Sequence, residues 1–569
     1  MWAILVLVSL ICPISNSYIV NYDTSENWWT HSVIYQIYPR SFKDSNGDGL
    51  GDIPGITSKL EHVKDTGADA LYLSPIFTSP QKDFGYDITN YTDIYEDFGT
   101  LEDFDEMVSK AHDLGLKVIL DYVPNHSSDE HVWFQNSVDK IPPYDDYYVW
   151  KDPREGPNGE RLPPNDWLSA FGGSAWEWND KRQQYYYHVY LAGQPDFNYR
   201  NPALRKEMED VLSFWLARGV DGFRVDSANL LFEDAQLRNE PLMDPSLTPD
   251  NYEHIFHKYT RILDDNYEVV ASWRNLMDRF SLETKTDRKF LILEVHAPIP
   301  HKMGYYDVGA DPFNFMFLFN LTGKSTASDF NRLINEWLDV IPEGRKTNWI
   351  VGNHDNHRVA TRFGKNGSRA DQMTMLAIML PGMVMVYNGD EIGMVDKFFT
   401  WEETMDPFGC QTGPDGYQLN SRDPERTPFQ WDASVSAGFS ENPKTWLPVH
   451  DNYKKLNLAN QKKAKFSHYK VFQAMTRLKK SQILRRGSTE VKLASKDVLA
   501  VVRRLKGQKP IALLINFSDF PVEFDAKLKL NLPEEMDVYI ASVRSGLKTG
   551  QKFNTSQARL RGSATVVLI

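Results

Sequence analysis

The sequence predicts a parallel α/β fold: a (β/α)8 TIM barrel with an inserted lobe after strand 3 and a C-terminal antiparallel β domain. Three observations point there. First, a unit of amphipathic helix, glycine and short apolar strand recurs at residues 56–64, Gly67 and 70–73, at 104–114, Gly115 and 117–120, and at 204–216, Gly219 and 222–225. Glycine after a helix provides a left-handed cap, and strands apolar throughout belong to a sheet buried on both faces. Second, further candidate strands at 33–36, 290–293, 349–351 and 383–387 bring the count to seven, and 314–319 supplies an eighth. Third, no GxGxxG or GxxxxGK[ST] follows any of these strands, so the closed barrel is favoured over an open doubly wound sheet.

Taken in order, residues 1–17 carry no charge and hold an apolar run from Trp2 to Ile11, with small residues at Ser15 and Ser17. A run this short reads as a cleaved secretory signal peptide, although it has no Lys or Arg ahead of it. No second long apolar segment follows, so the mature chain is expected to be secreted and to lack a transmembrane segment. Cys12 lies in the signal, leaving Cys410 as the single cysteine of a chain that must rely on a large core. Sequons at Asn90, Asn320, Asn366, Asn516 and Asn554 fit passage through the secretory pathway, whereas Asn125 is expected to be buried and unused. The barrel is assigned to 18–126 and 195–485, and the lobe, rich in Trp, Tyr, Pro and Asp, to 127–194. Residues 395–440 are irregular. From 486 to 569 strand-like runs at 498–502, 511–516 and 565–569 read as a β-sandwich domain.

The formal charge of −14 argues against nucleic acid, which needs clustered Lys and Arg. Aromatic residues, at 13%, suit a cleft that stacks flat ligand faces, though a large core can absorb them too.

Barrel enzymes place reactive groups at the C-terminal ends of their strands. Here those ends read Asp121-Tyr122-Val123-Pro124-Asn125-His126, Arg224-Val225-Asp226, Glu294-Val295-His296 and Asn353-His354-Asp355. In the second of these, strand alternation turns Phe223 and Val225 to one face and Arg224 and Asp226 to the other. Taken alone, Arg224 and Asp226 are a structural ion pair, and any one Asp or Asn is a cap. Four carboxylate-bearing ends in register are hard to explain as capping.

These stretches resemble the ordered signature regions of the α-amylase family of retaining glycosidases, and more narrowly its maltase and oligo-1,6-glucosidase branch and the secreted insect maltases within it. Matches at 35–42, 194–198, 387–393 and 426–432 extend the resemblance over nearly everything from Trp28 to Ile569. The resemblance implies that Asp226 is the nucleophile, Glu294 the general acid/base and Asp355 a third carboxylate gripping sugar hydroxyls. A retaining glycosidase needs one ionised carboxylate and one protonated carboxyl about 5 Å apart. Arg224 is expected to keep Asp226 ionised while neighbouring charge holds Glu294 protonated. His126 and His354 match positions that donate to the glucose of the first subsite. Asp83 matches an Asp that pairs with an Arg at the position of Arg426 and closes the pocket around the non-reducing glucose, with Tyr86 stacked on the sugar. A blind pocket admits a chain end, so the implied activity is exo-acting release of glucose from maltose, short maltooligosaccharides and sucrose.

Asp44, Asn46, Asp48 and Asp52 offer side-chain oxygens at every second position, with glycines between them and the Leu50 carbonyl as a further donor. That spacing suits Ca²⁺, and the resemblance implies a structural Ca²⁺ at this loop; an Asx-rich turn without metal is the other reading. Two positions depart from the branch. His296 follows the acid/base where Tyr is common, and Ser227 follows the nucleophile, which tilts the expectation towards α-1,4 bonds. Beside the glucosidase stand a transglycosylase or isomerase on the same site, and a glycosidase-like interaction protein such as a transporter-ancillary or receptor subunit. The last usually lacks part of the catalytic set.

Overall fold

The computed structural model describes residues 27–569 except 346 and 365–367. The signal-peptide assignment at 1–17, Cys12 and the sequon at Asn366 lie outside the described residues. Eight parallel strands form one sheet: β1 (Val33–Ile37), β2 (Ala70–Leu73), β3 (Lys117–Tyr122), β4 (Gly222–Val225), β5 (Phe290–Leu293), β6 (Asp311–Pro312), β7 (Asn348–Ile350) and β8 (Met383–Tyr387). Their order around the sheet is β6-β5-β4-β3-β2-β1-β8-β7, the succession of a (β/α)8 barrel.

Alternation builds two layers. Val33, Tyr35 and Ile37 of β1, with Leu291 and Leu293 of β5, join the large cluster beneath the outer helices. Ile34, Phe290, Ile292, Ile350 and Met385 turn the other way and fill the barrel interior. On β4, Phe223 and Val225 pack outwards, leaving Gly222 and Arg224 inside. Glycine is required at 222 because a Cβ there would meet the Phe290 Cβ and carbonyl oxygen at 2.5 Å.

The helices start on side-chain caps. Asp52 accepts from Gly55 N–H ahead of the helix Ile53–Asp65, Asn201 caps Pro202–Ala217, and Thr100 and Asp103 form a capping box at Leu101–Asp113. The apolar faces of these helices then cover the outer side of the strands.

The sixth strand differs from expectation. It lies at Asp311–Pro312, and Met316–Asn320 forms one π-helical turn instead. Asn314 ends the strand, because its side chain accepts from Met316 N–H at 3.0 Å and bends the chain. The barrel is then joined across this gap by a side chain. Asn348 of β7 donates to Pro312 O at 2.9 Å and accepts from Asn314 N–H at 2.9 Å.

The lobe after β3 holds a helix, Val132–Val138, and a three-stranded antiparallel sheet ordered Trp150–Lys151, Gln184–Tyr187, Trp176–Asn179. Asp196 ties it to the barrel, accepting from the lobe's Val189 N–H and from Asn125 Nδ2, each at 3.0 Å. At the C-terminus a six-stranded antiparallel sheet runs from Ser488. Leu499, Val501, Leu513 and Ile515 face the barrel helices, while Val498, Ala500, Val502 and Leu514 face a second small core. That core is covered by the paired strands Val522–Phe524 and Ala558–Leu560.

Asn516 is corrected as a glycosylation acceptor. It is fully buried, and its amide donates to Phe520 O at 2.8 Å and Arg561 O at 2.9 Å. Asn90, Asn320 and Asn554 are exposed and Asn125 is buried. Among the described residues no helix is long and apolar enough to cross a membrane.

Replacing Asn348 by Ala should cost roughly 2–4 kcal/mol, since it strands a buried donor and a buried acceptor. Denaturant unfolding measures this; a loss below about 0.5 kcal/mol, the level of an ordinary surface change, would show that the side chain does not close the barrel.

Candidate active site

Parallel register brings the strand ends together. Arg224 lies beside Asp121 on one neighbouring strand and Ile292 on the other. Val225 pairs with Leu293, so the next residues, Asp226 and Glu294, leave the sheet side by side. Arg224 is 1% exposed. Its Nη1 donates to both Asp121 oxygens at 2.8 and 3.0 Å and to Asp226 Oδ1 at 2.7 Å, and its Nη2 donates to Glu294 Oε2. Asp121 also accepts from the hydroxyls of Tyr72 at 2.6 Å and Tyr86 at 2.9 Å. One buried cation thus serves three acids.

Beyond β4 the backbone turns through Ser227 at φ +50°, a left-handed conformation that a non-glycine residue adopts only when its surroundings hold it. Ala228 N–H donates to Glu294 O at 3.0 Å. The Ser227 hydroxyl donates to Asp226 Oδ2 at 2.8 Å and lies 2.6 Å from the Tyr190 hydroxyl, which comes from the lobe.

The distribution of charge on the two carboxyls differs from the expected one. Burial pushes the Asp226 carboxyl well up, more than the Arg224 cation pulls it down. Burial also acts to raise Glu294, but Arg224 and His296 outweigh it and hold this carboxyl down at about 2. The physical reason is the direct Arg224–Glu294 contact, which the alternation of β4 alone does not reveal.

The pocket has a volume of about 450 Å³ and is lined by Asp226, Glu294 and Asp355 together with Asp83, Tyr86 and His126. Asp355 takes Arg426 Nη2 at 2.7 Å and lies 3.3 Å from His354 Nε2. Burial acts against its charge, but His354 and the two arginines outweigh it, so Asp355 stays below the usual carboxylate range. Burial drops His354 to about 3 and His126 to about 4, so both rings are neutral. His354 is stacked between Tyr86 and Tyr38, with centroids 5.5 and 5.3 Å away.

The pairing of Asp83 with Arg426 is corrected. Asp83 Oδ1 binds Arg422 Nη2 at 2.7 Å, and Arg422 is itself held by Asp406 at 2.7 Å. Arg426 turns to Asp355 and to His354 O, the latter at 2.7 Å. A 3-10 turn, Asp423–Glu425, separates the two arginines. Both guanidiniums converge on Asp355 Oδ1, Arg422 Nη1 at 3.4 Å and Arg426 Nη2 at 2.7 Å, while Arg422 reaches Asp83 as well. Gln194 completes this end of the pocket by donating to Asp83 Oδ2 at 3.1 Å.

Sequence reasoning missed Arg422, Asp406, Gln194 and Tyr190. Gln194 and Arg422 lay within or just ahead of matched stretches, whereas nothing local marked Asp406 or Tyr190. The mouth is aromatic: Phe171 of the lobe stacks on Phe408 of the irregular segment, centroids 4.7 Å apart and planes within 12°.

The oxygen-rich loop lies apart from these lining residues. Asp44 accepts from the N–H groups of Asn46, Gly47 and Gly49 and from Ser440 Oγ, at 3.0, 2.7, 2.8 and 2.5 Å. Asn46 accepts from Asp48 N–H at 2.9 Å and Asp48 from Leu50 N–H at 2.7 Å. Asp52 accepts from Ser45 N–H at 2.9 Å as well as capping its helix. Every donor is a hard oxygen, and the fold curls them into one loop through Gly47 and Gly49, both at positive φ.

Residues 36–487 match the profile of the alpha-amylase catalytic domain. The chain belongs to the α-amylase family. It is 46% identical to Maltase 1 of Drosophila virilis, over 95% of this chain and 86% of that protein. It is 44% identical to an alpha-glucosidase of Apis mellifera, over 96% and 94%. Among solved structures, the alpha-glucosyl transfer enzyme XgtA superposes with a TM-score of 0.83 at 34% identity, covering 95% of this chain and 99% of that one. In this α-amylase-family chain, the clustered carboxylates sit where β3, β4, β5 and β7 end.

Beside the pocket, His357 Nδ1 lies 2.9 Å from Asp396 and 3.3 Å from Glu425. Asp396, with Glu425 behind it, raises this imidazole to about 10. Stability from the raised group is whole below about pH 6.5, its unfolded value, and is lost as pH rises through about 10. Between those limits the Tm of the native chain should therefore fall more steeply than that of His357→Gln. Parallel Tm–pH curves would show that the imidazolium contributes nothing.

Proposed function

We propose that the protein is an exo-acting α-glucosidase that releases terminal α-1,4-linked glucose from maltose, short maltooligosaccharides and sucrose with net retention. The observation that carries this reading is the pair Asp226 and Glu294 on one guanidinium, above a pocket whose far end is plugged by Asp83 and Arg422. Carboxyls sharing one guanidinium lie on the scale of the roughly 5 Å of a retaining pair, not the wider gap that admits a water. The plug leaves room for a chain end and blocks a continuing polymer.

In this reading the non-reducing glucose enters against Tyr86 and His126, while His354 lies behind them and holds the Tyr86 hydroxyl at 2.6 Å. Asp355 accepts from two hydroxyls while Arg426 keeps it charged. The glycosidic oxygen draws Glu294 off Arg224, and the pair's single proton comes to reside on Glu294. Asp226 attacks the anomeric carbon and forms a glucosyl ester as the C–O bond breaks and the leaving oxygen takes the Glu294 proton. Glu294, now a carboxylate, removes a proton from water; the water oxygen bonds to the anomeric carbon and Asp226 leaves. Ser227 is committed to Asp226 and Tyr190, so it favours α-1,4 substrates through these two pocket-lining side chains that it holds.

Secretion is supported by the short apolar segment at 1–17 and the exposed sequons. We also propose that Asp44, Asn46, Asp48, Asp52 and the Leu50 carbonyl hold a structural Ca²⁺. The all-oxygen donor set and the curled loop support this, and the ion would supply stability, not chemistry.

Asp226→Asn and Glu294→Gln should each lower glucose release from maltose by roughly 10²–10⁴-fold, the range expected on losing a catalytic proton-transfer or nucleophilic group. Equal activity of wild type and both variants would reject the assignment. α-Glucose should appear first by NMR, and β-glucose would exclude retention. For the metal, EDTA should lower the Tm by several degrees and Ca²⁺ should restore it; a Tm indifferent to both would leave the loop as a hydrogen-bonded turn.

A further inference from the structure

His296 stands two residues after Glu294 at the end of β5, and its surroundings are specific. The His296 Nε2–H donates to Glu294 Oε1 at 3.0 Å, while Arg224 holds Oε2. The histidine is itself fixed on two sides. Its backbone N–H donates to Asn229 Oδ1 at 3.1 Å, and Asn229 is fully buried. Its ring lies flat on Phe315, with centroids 4.6 Å apart and planes within 8°, and meets the edge of Phe319 at 5.6 Å. The ring still lines the cavity.

We propose that His296 is a positioning residue for Glu294: it grips the outer carboxylate oxygen and fixes the plane from which Glu294 meets the leaving group. The proposal rests on the reading of Glu294 as the acid/base. A carboxylate held at one oxygen is free to pivot, and one held at both is not. When the substrate draws Oε2 from Arg224, the His296 contact persists and becomes the hinge. As the O–H bond of Glu294 breaks and the proton passes to the leaving oxygen, the carboxylate regenerated is the form that the His296 N–H stabilises.

The charged groups around His296 are few. Glu294 and Arg224 face it from the strand ends, with Asp355 adding its field at Glu294. Lys302 lies against Phe315, its Nζ 4.9 Å from the ring centroid, lowered to about 8 by burial and by Arg261. Only Glu294 is bonded to the His296 ring among the described residues.

His296→Phe keeps a flat ring on Phe315 and removes the N–H. The test compares kcat/KM for maltose, whose leaving group needs a proton, with that for 4-nitrophenyl α-glucoside, whose leaving group departs as an anion. The variant should lose about tenfold on maltose, a fraction of what the acid itself contributes, and less than about threefold on the aryl glucoside. Its alkaline limb for maltose should move to higher pH, because a group favouring the Glu294 carboxylate is gone. His296→Gln, which retains an N–H donor, should recover part of the loss. Equal losses on both substrates would reduce His296 to a wall of the pocket, and an unchanged maltose rate would also overturn the proposal. Glu294→Gln is run alongside: if it hydrolyses maltose like wild type, the acid/base reading fails, and not merely the role of His296.

Discussion

The upper end of the barrel depends on one buried guanidinium. Arg224 sits out of water with Asp121, Asp226 and Glu294 on its nitrogens. Three buried carboxylates without that cation would repel one another and lack their main source of compensation for desolvation. The tyrosine hydroxyls on Asp121 lessen its need and leave Arg224 free to reach the other two acids. Register makes the arrangement possible, since parallel pairing sets Asp121 beside Arg224 and places Asp226 and Glu294 one step further along adjacent strands.

That geometry also decides where charge rests before a substrate arrives. The same cation touches both members of the pair, and it holds the less enclosed carboxylate, Glu294, in its ionised form while burial favours a proton on Asp226. In the proposed reading the acid/base carries the proton, so a bound sugar would have to shift charge between the two carboxyls. His296 and Ser227 each hold one of those carboxyls by a hydrogen bond.

The closed end of the pocket is built from distant chain segments. Asp83 follows β2, Gln194 ends the lobe, and Arg422 and Asp406 belong to the irregular stretch before the last helices. That stretch was expected to be irregular, but it holds two short helices, Pro407–Gln411, capped by Asp406, and Gly413–Asn420. The aromatic stack of Phe171 on Phe408 joins the same two excursions across the mouth. The barrel thus supplies the reacting groups, and its insertions supply the shape.

By itself, the sequence determined the features that repeat or are local. The helix–glycine–strand rhythm revealed the barrel because strands buried on both faces are apolar throughout, and alternation on β4 put Arg224 and Asp226 on its inner side. The strand-end carboxylates, with their resemblance to a known family, marked the pocket. What lacked a local period was decided only by the tertiary structure. The sixth strand is two residues long, too short to leave a pattern, and its place is held by the side chain of Asn348 from the next strand. The choice of Arg422 over Arg426 for Asp83 was settled by how the two guanidiniums share Asp355 and Asp406. Asn516, which loses its sequon to burial, is held by the backbone carbonyls of Phe520 and Arg561. The resting charge of Glu294 turned on a contact 70 residues away in the chain. Periodicity reports which face of an element is buried; which residues meet across elements is settled only when the sheet closes.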